Sequence, residues 1–282
     1  MSSVRIGVGV EAACDQYAES ALSEAGLTDF VEYGIHVARG VPEWVRAVRE
    51  RLGARLNLHP LDLNLGGGDS TTDGWCEALA GLARELRATA LVSDMGFWYL
   101  GHRGSTWPRP PSMPAAAAAC RDTAARIARA CGIPFRVENP PLEWVPGQPS
   151  LWHFLEQASA EDGVELCLDL SHLLQFEMNV HGRAPTLPRS FPWQKVTELH
   201  LAGFIRVEYQ GRQHYIDEHL ADIPDEEYRL LSQVLELRGS GSPLEICLEM
   251  EPRGAAAFEA EASRLREALG GSARQALERR RR

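Results

Sequence analysis

The sequence predicts a (β/α)₈ barrel, an α/β fold closed around one core. Eight short β-like runs alternate with helical patterns from end to end of the chain. Most of these runs are almost continuously apolar, as in strands buried on both faces of a parallel sheet. The length of 282 residues also suits this architecture, which takes roughly 250. Eight alternating units with right-handed crossovers favour closure over the competing open, doubly wound sheet.

The expected strands are 4–10, 30–33, 56–63, 90–93, 135–138, 165–168, 196–201 and 244–249. Between them the helical pattern covers 17–25, 42–52, 73–87, 114–131, 150–160 and 225–237. Pro42 and Pro114 suit the first turn of a helix, where a missing N–H costs nothing. The connection after Leu168 is irregular and only partly helical. Residues 95–112, rich in glycine and proline, read as a long loop, a candidate lid at a strand end. Gly66-Gly67-Gly68 matches no phosphate-binding fingerprint and reads as a tight turn. The barrel is expected over residues 1–254, with a helix and a basic tail over 255–282.

Composition narrows the function. Apolar residues make up 44% and charged residues 24%, which is globular rather than disordered. A net charge of −10 disfavours a nucleic-acid partner, whose phosphates need a basic face. No apolar run approaches the roughly 18 residues of a membrane span, and no secretory signal is visible; the expected location is cytoplasmic. Cys14, Cys76, Cys120, Cys131, Cys167 and Cys247 form no C-x-x-C pair and read as free thiols. Cys167 and Cys247, inside apolar strands, read as small core residues.

The metal-capable side chains fall at predicted strand ends. His59 is on the third strand, Glu138 and Asn139 end the fifth, and Asp169 ends the sixth with His172 just beyond. Glu198 and His200 are on the seventh, a following loop carries Asp217 and His219, and Glu249 and Glu251 end the eighth. In such barrels the C-terminal strand ends converge on one face. Taken singly, a strand-end acid ordinarily caps the next helix or pairs with arginine, and a single histidine is ordinarily a core residue. What points to metal is the coincidence of position across five strand ends. Gathering these carboxylates without cations would be very costly. Imidazole and carboxylate donors without thiolates suit iron, manganese or zinc, and eight of them exceed the needs of one ion. His36, His153 and His214 fall outside this pattern and read as surface or core residues.

These positions resemble a known family, the multinuclear non-haem iron-dependent oxidases of ribosomal-peptide natural-product biosynthesis. The matching segments are NLHPLDLNLG (57–66), VSDMGFW (92–98), VENPP (137–141), LDLSHLLQFEMNVHG (168–182), ELHLAGF (198–204), IDEH (216–219) and LEMEP (248–252). The resemblance implies a xylose-isomerase-like barrel holding two or three irons of mixed Fe(II)/Fe(III) valence. It implies O₂ as co-substrate and oxidation of a precursor-peptide residue, often cysteine, in some members with a separate recognition protein. It implies His59, Glu138, Asp169, His200, Asp217, His219 and Glu249 as ligands, with His172 where the family carries a variable polar residue. Asp94, Asn139 and Asn179 are the implied catalytic or ligand-orienting residues. One departure stands out: the family usually has histidine after the strand-four acid, and this chain has Asp94-Met95. An altered metal position, a substitute in His102, or fewer irons would each account for it.

Two other classes share the layout. Sugar isomerases and epimerases of xylose-isomerase type, and related endonucleases, also present Glu, Asp and His at strand ends. The isomerases usually add a lysine or histidine proton shuttle, and this chain has a single lysine, Lys195. A barrel kept only as a peptide-binding partner is the third class.

Overall fold

Eight parallel strands close on themselves in the computed structural model: β1 (Val4–Glu11), β2 (Phe30–Ile35), β3 (Arg55–Pro60), β4 (Ala90–Asp94), β7 (Phe135–Glu138), β8 (Val164–Asp169), β9 (Val196–Ala202) and β12 (Leu244–Glu249). Each pairs with the next, and β12 returns to β1 with Gly9 beside Glu249. The described residues are 4–11, 28–52, 55–65, 73–95, 97–100, 103–109, 114–141, 150–219, 222–239, 241–250 and 255–280. The expected 17–25 helix, the Gly66–Gly68 turn, Cys14, His102 and Glu251 lie outside them.

The helices are α1 (Glu43–Leu52), α2 (Asp73–Glu85), α3 (Pro114–Cys131), α4 (Leu151–Ala158), α5 (Leu170–Phe176), α6 (Asp225–Arg238) and α7 (Ala255–Arg280). Their buried faces carry Leu79, Ala83, Ala124, Ile127, Leu155, Leu231 and Leu265, which cover the outer face of the barrel. Periodicity at 3.6 residues thus meets strands buried on both sides. Ser150 caps α4 by accepting from the His153 N–H. The connection after β8 is α5 followed by a π-helical turn at Glu177–His181, as irregular as expected.

Two hairpins correct the sequence reading. The 95–112 segment contains antiparallel β5 (Phe97–Leu100) and β6 (Arg103–Arg109). The segment after β9 forms β10 (Phe204–Tyr209) and β11 (Arg212–Asp217), so Asp217 ends a strand instead of sitting in a loop. Glycine and proline content masked the first. Short two-stranded ribbons bury too little to show clear alternation, which masked the second.

The barrel interior explains two glycines. A Cβ on Gly7 would meet the Phe30 ring at 2.3 Å, and one on Gly9 would meet Glu249 Cγ at 3.1 Å. Strand β1 therefore leaves room inside for a large ring at one level and a carboxylate at the next. Below the strand ends lies a charged layer. Arg136 Nη1 stands 2.6 Å from Glu245 Oε2 and 2.5 Å from Glu198 Oε2, and Asn57 Nδ2 donates to both acids. Glu198 thus serves this layer and not the strand-end cluster. Burial raises its carboxyl, and with Glu245 and Glu32 adding negative charge it reaches about 8 despite Arg136.

Removing one member of a buried ion network strands the others. Arg136→Leu should therefore destabilise the fold by about 3–5 kcal/mol, read as a lower urea midpoint at unchanged slope. A loss below about 1 kcal/mol would show that the layer carries no such weight.

Candidate metal centre

The strand C-termini build one cavity of about 300 Å³. His59 enters from β3, Asp94 from β4, Glu138 from β7, His172 from the first turn of α5, Asp217 from β11, His219 just beyond it, and Glu249 from β12. Asp169 and His200 are fully buried beside it on β8 and β9. Ladder register makes the meeting unavoidable: Asp94 pairs with Glu138, and Asp169 with His200. Residues nearly two hundred positions apart in the chain share the pocket because the sheet closes.

Donor atoms fall into overlapping groups. Glu138, Asp169, His200 and Glu249 each offer a ligand atom within 4.8 Å of the others, as do His59, Asp94 and Glu138. Glu138 belongs to both. His200 Nδ1 lies 3.2 Å from Glu138 Oε1 and 3.4 Å from Glu249 Oε1, and His59 Nε2 lies 3.4 Å from Asp94 Oδ2. A third set flanks them, with Asp217 Oδ2 3.7 Å from His172 Nε2 and 3.3 Å from His219 Nε2. Glu138 is thus within reach of both groups of donors.

The donors are held from behind. Asn139 clasps the Asp169 backbone, accepting its N–H and donating to its carbonyl, both at 2.9 Å. The Asn139 carbonyl accepts from His172 Nδ1 at 2.8 Å, which leaves Nε2 facing Asp217. Asp169 Oδ1 caps α5 by accepting from the His172 N–H at 2.6 Å, so the ordinary capping role and a place at the cluster coexist in one side chain. Asn179 stands off the cavity: its amide clasps the backbone of Tyr215 and steadies the strand that ends in Asp217. Both asparagine side chains hydrogen-bond to backbone, that of Asp169 and that of Tyr215.

With this geometry in view, comparison with known proteins is decisive for kinship. Residues 6–269 match the family described as RiPP precursor modification enzyme MbnB/TglH/ChrH. The chain belongs to that family. Among curated relatives, a UPF0276 protein of Caulobacter sp. (strain K31) is 29% identical over 245 residues, covering 83% of this chain and 85% of that one. A UPF0276 protein of Vibrio vulnificus (strain YJ016) is 27% identical over 191 residues, a match that spans 65% of its own length. Solved structures of similar fold include 3-keto-D-glucoside 4-epimerase YcjR from E. coli, at TM-score 0.59 and 15% identity, covering 94% of this chain and 100% of that one. A xylose isomerase-like TIM barrel protein from Mycobacterium smegmatis in complex with magnesium has TM-score 0.57 and 14% identity, covering 92% and 89%. At such identities these likenesses show the fold alone: a xylose-isomerase-like TIM barrel.

The structure also settles where several other residues singled out in the sequence lie. Met95 is buried in the apolar core, and its backbone N–H donates to the Glu138 carbonyl at 3.0 Å. Asp94 stands beside His59 at that corner. His36 lines the cavity, nearer the chemistry than its expected surface or core role. Cys167 and Cys247 are core residues as expected, yet each offers its sulfur within 4.8 Å of His200; burial pushes both thiols well above the ordinary range. Sequence reasoning missed Glu32 altogether. The signal was an acid in the middle of an apolar strand, Val31-Glu32-Tyr33, where water cannot reach it.

Electrostatics shows what the cluster lacks. Burial raises Asp169 to about 8, with Glu138 and Glu249 adding to the rise and His172 opposing it. Burial would also raise Glu249, but His200 and His219 hold it down at about 2. His59, His172 and His200 lose basicity to burial yet end well above the ordinary range because carboxylates surround them. The ion pairs of these acids with described residues are to histidine rings and not to guanidinium groups. Among the described residues, Glu138 Oε2, Asp169 Oδ2, Asp94 Oδ1 and both His200 nitrogens have no hydrogen-bond partner. Buried polar atoms are ordinarily satisfied, so nitrogen and oxygen lone pairs aimed into one cavity fit metal ions.

A pH dependence follows for metal-free protein. Folded Asp169 keeps its proton up to about 8 against 3.8 ordinarily, and the histidines keep theirs above 6.5. The folded state then binds more protons than the unfolded one, so stability falls as pH rises. Depressed Glu249 acts oppositely between 4.5 and about 2. The metal-free melting temperature should peak near pH ~5 and decline toward pH ~8, and divalent metal should flatten that decline. A metal-free melting temperature rising steadily over that interval contradicts the cluster's charge balance.

Proposed function

We propose that this chain is a multinuclear non-haem iron oxidase that uses O₂ to modify a residue, often cysteine, of a ribosomally made precursor peptide. The observation that carries the reading is Glu138, a buried carboxylate common to two donor groups, with an unpartnered oxygen. Membership of the RiPP-modification family supplies the peptide. Imidazole and carboxylate donors suit iron, and iron when bound supplies the redox chemistry with O₂ that no side chain provides.

The chain's own residues divide the remaining work. Glu138, Asp169, His200 and Glu249 would hold one ion, and His59 with Glu138 and Asp94 a second. His172, Asp217 and His219 form a further donor set on the same wall, either for a third ion or for orienting the peptide. Asn139 and Asn179 hold the backbone under Asp169 and Asp217, so the donors meet substrate in fixed positions. The barrel wall around Asp169 and His200 excludes water from the inner donors. Lysine-based proton shuttling of isomerase type has no support here: Lys195 Nζ donates to the carbonyls of Glu161 and Val164 at 3.3 Å, at the opposite strand ends.

Protein purified without oxygen should contain iron by elemental analysis. Co-expression with its precursor peptide should produce an O₂-dependent mass change. Glu138→Ala and His200→Ala should each abolish that change, by more than about 100-fold in rate, while the barrel stays folded. Purified protein carrying zinc or manganese with no iron, or a mass change that survives both substitutions, overturns the reading.

A further inference from the structure

Glu32 belongs to none of the segments that resemble the family, yet it is among the most deeply placed acids of the cavity, 2% exposed. It sits mid-strand on β2, level with Gly9 on β1 and Asn57 on β3. One oxygen, Oε1, lies 3.1 Å from His59 Nδ1 in a hydrogen bond. The same oxygen lies 3.3 Å from His200 Nε2, within ion-pair reach though without a closed hydrogen bond. The two rings stand 6.2 Å apart.

On each ring the opposite nitrogen faces the acids of the cavity. His59 Nε2 points to Asp94 and Glu138, and His200 Nδ1 points to Glu138 and Glu249. A neutral imidazole has one nitrogen with a proton and one with a lone pair, and a metal takes the lone pair. Which nitrogen that is depends on the partner of the other. We infer that Glu32 is the positioning residue for both histidines, fixing the proton on His59 Nδ1 and His200 Nε2 so that His59 Nε2 and His200 Nδ1 offer lone pairs to ions sharing Glu138. The two rings need opposite tautomers, and one carboxylate placed between their rear nitrogens supplies both. This role rests on the metal reading above.

Glu32→Gln keeps size and shape but replaces the carboxylate by a neutral amide, whose oxygen in the Oε1 place is a weaker acceptor for both rings. Loss of the charge weakens the hold on the proton of each rear nitrogen, and the amide NH₂ takes the place of Oε2, which has no hydrogen-bond partner among the described residues. The apparent affinity for Fe(II) or Zn(II), measured by anaerobic titration, should fall about ten- to a hundred-fold. Stoichiometry at saturation should match the parent, and Glu32→Asp should recover part of the loss. The second measurement needs no variant: ¹⁵N chemical shifts of Zn(II)-loaded parent protein should report Nδ1–H on His59 and Nε2–H on His200. A parent that takes up neither metal overturns the functional reading and this role with it. A metal-binding parent overturns only this role if Glu32→Gln binds with unchanged affinity, if it loses an ion at saturation as a direct ligand would, or if either ring shows the opposite tautomer.

Discussion

Charge crowding inside a closed sheet is the constraint on which the rest of this structure depends. Closure brings Glu32, Glu138, Asp169, Asp217 and Glu249 to one end of a barrel with little water. Carboxylates at such separations repel, and burial adds to the penalty. Histidines from β3, β9 and the α5 turn answer part of that charge. They leave buried oxygens and nitrogens without hydrogen-bond partners among the described residues, Glu138 Oε2, Asp169 Oδ2 and His200 Nδ1 among them.

One layer below, the same problem is solved differently. Glu198 and Glu245 are as buried as the acids of the cavity, but Arg136 and Asn57 lie among them and satisfy them. The contrast separates structure from function. Where a guanidinium fills the gap, the layer holds the barrel together. Where histidines fill it, buried oxygens and nitrogens stay without hydrogen-bond partners and the layer offers groups of donors that could hold a metal ion. The spacing of these layers is the ordinary alternation of inward-facing side chains on tilted strands. Glycines at positions 7 and 9 make the room for Phe30 in one layer and Glu249 in the other.

Support behind the donors follows a common logic. Asn139, the backbone at Asn139, Asn179 and the cap at Asp169 each fix a donor by hydrogen bonds to main chain, which cannot rotate away. At the Asp94-Met95 corner a carboxylate faces the cavity and the next side chain is part of the apolar core. The carboxylate of Asp94 stands closer to His59 than any other acid of the cavity except Glu32.

The sequence by itself determined the eight strands of the barrel and most of the acids and histidines that meet at one end of it. Continuous apolar runs suit strands covered on both faces of a parallel sheet, and in a barrel the acids and histidines at their C-terminal ends share one face. It could not show which acids belong to which layer, because Glu198 and His200 sit two residues apart and face the same interior at different depths. Glu32 was visible only as an acid inside an apolar strand; its partners, His59 and His200, come from other strands. The hairpin carrying Asp217 was also hidden, since a two-stranded ribbon leaves too weak an alternation. Only closure of the sheet decided these, because depth along the barrel axis is set by strand stagger and by which neighbours arrive at each level.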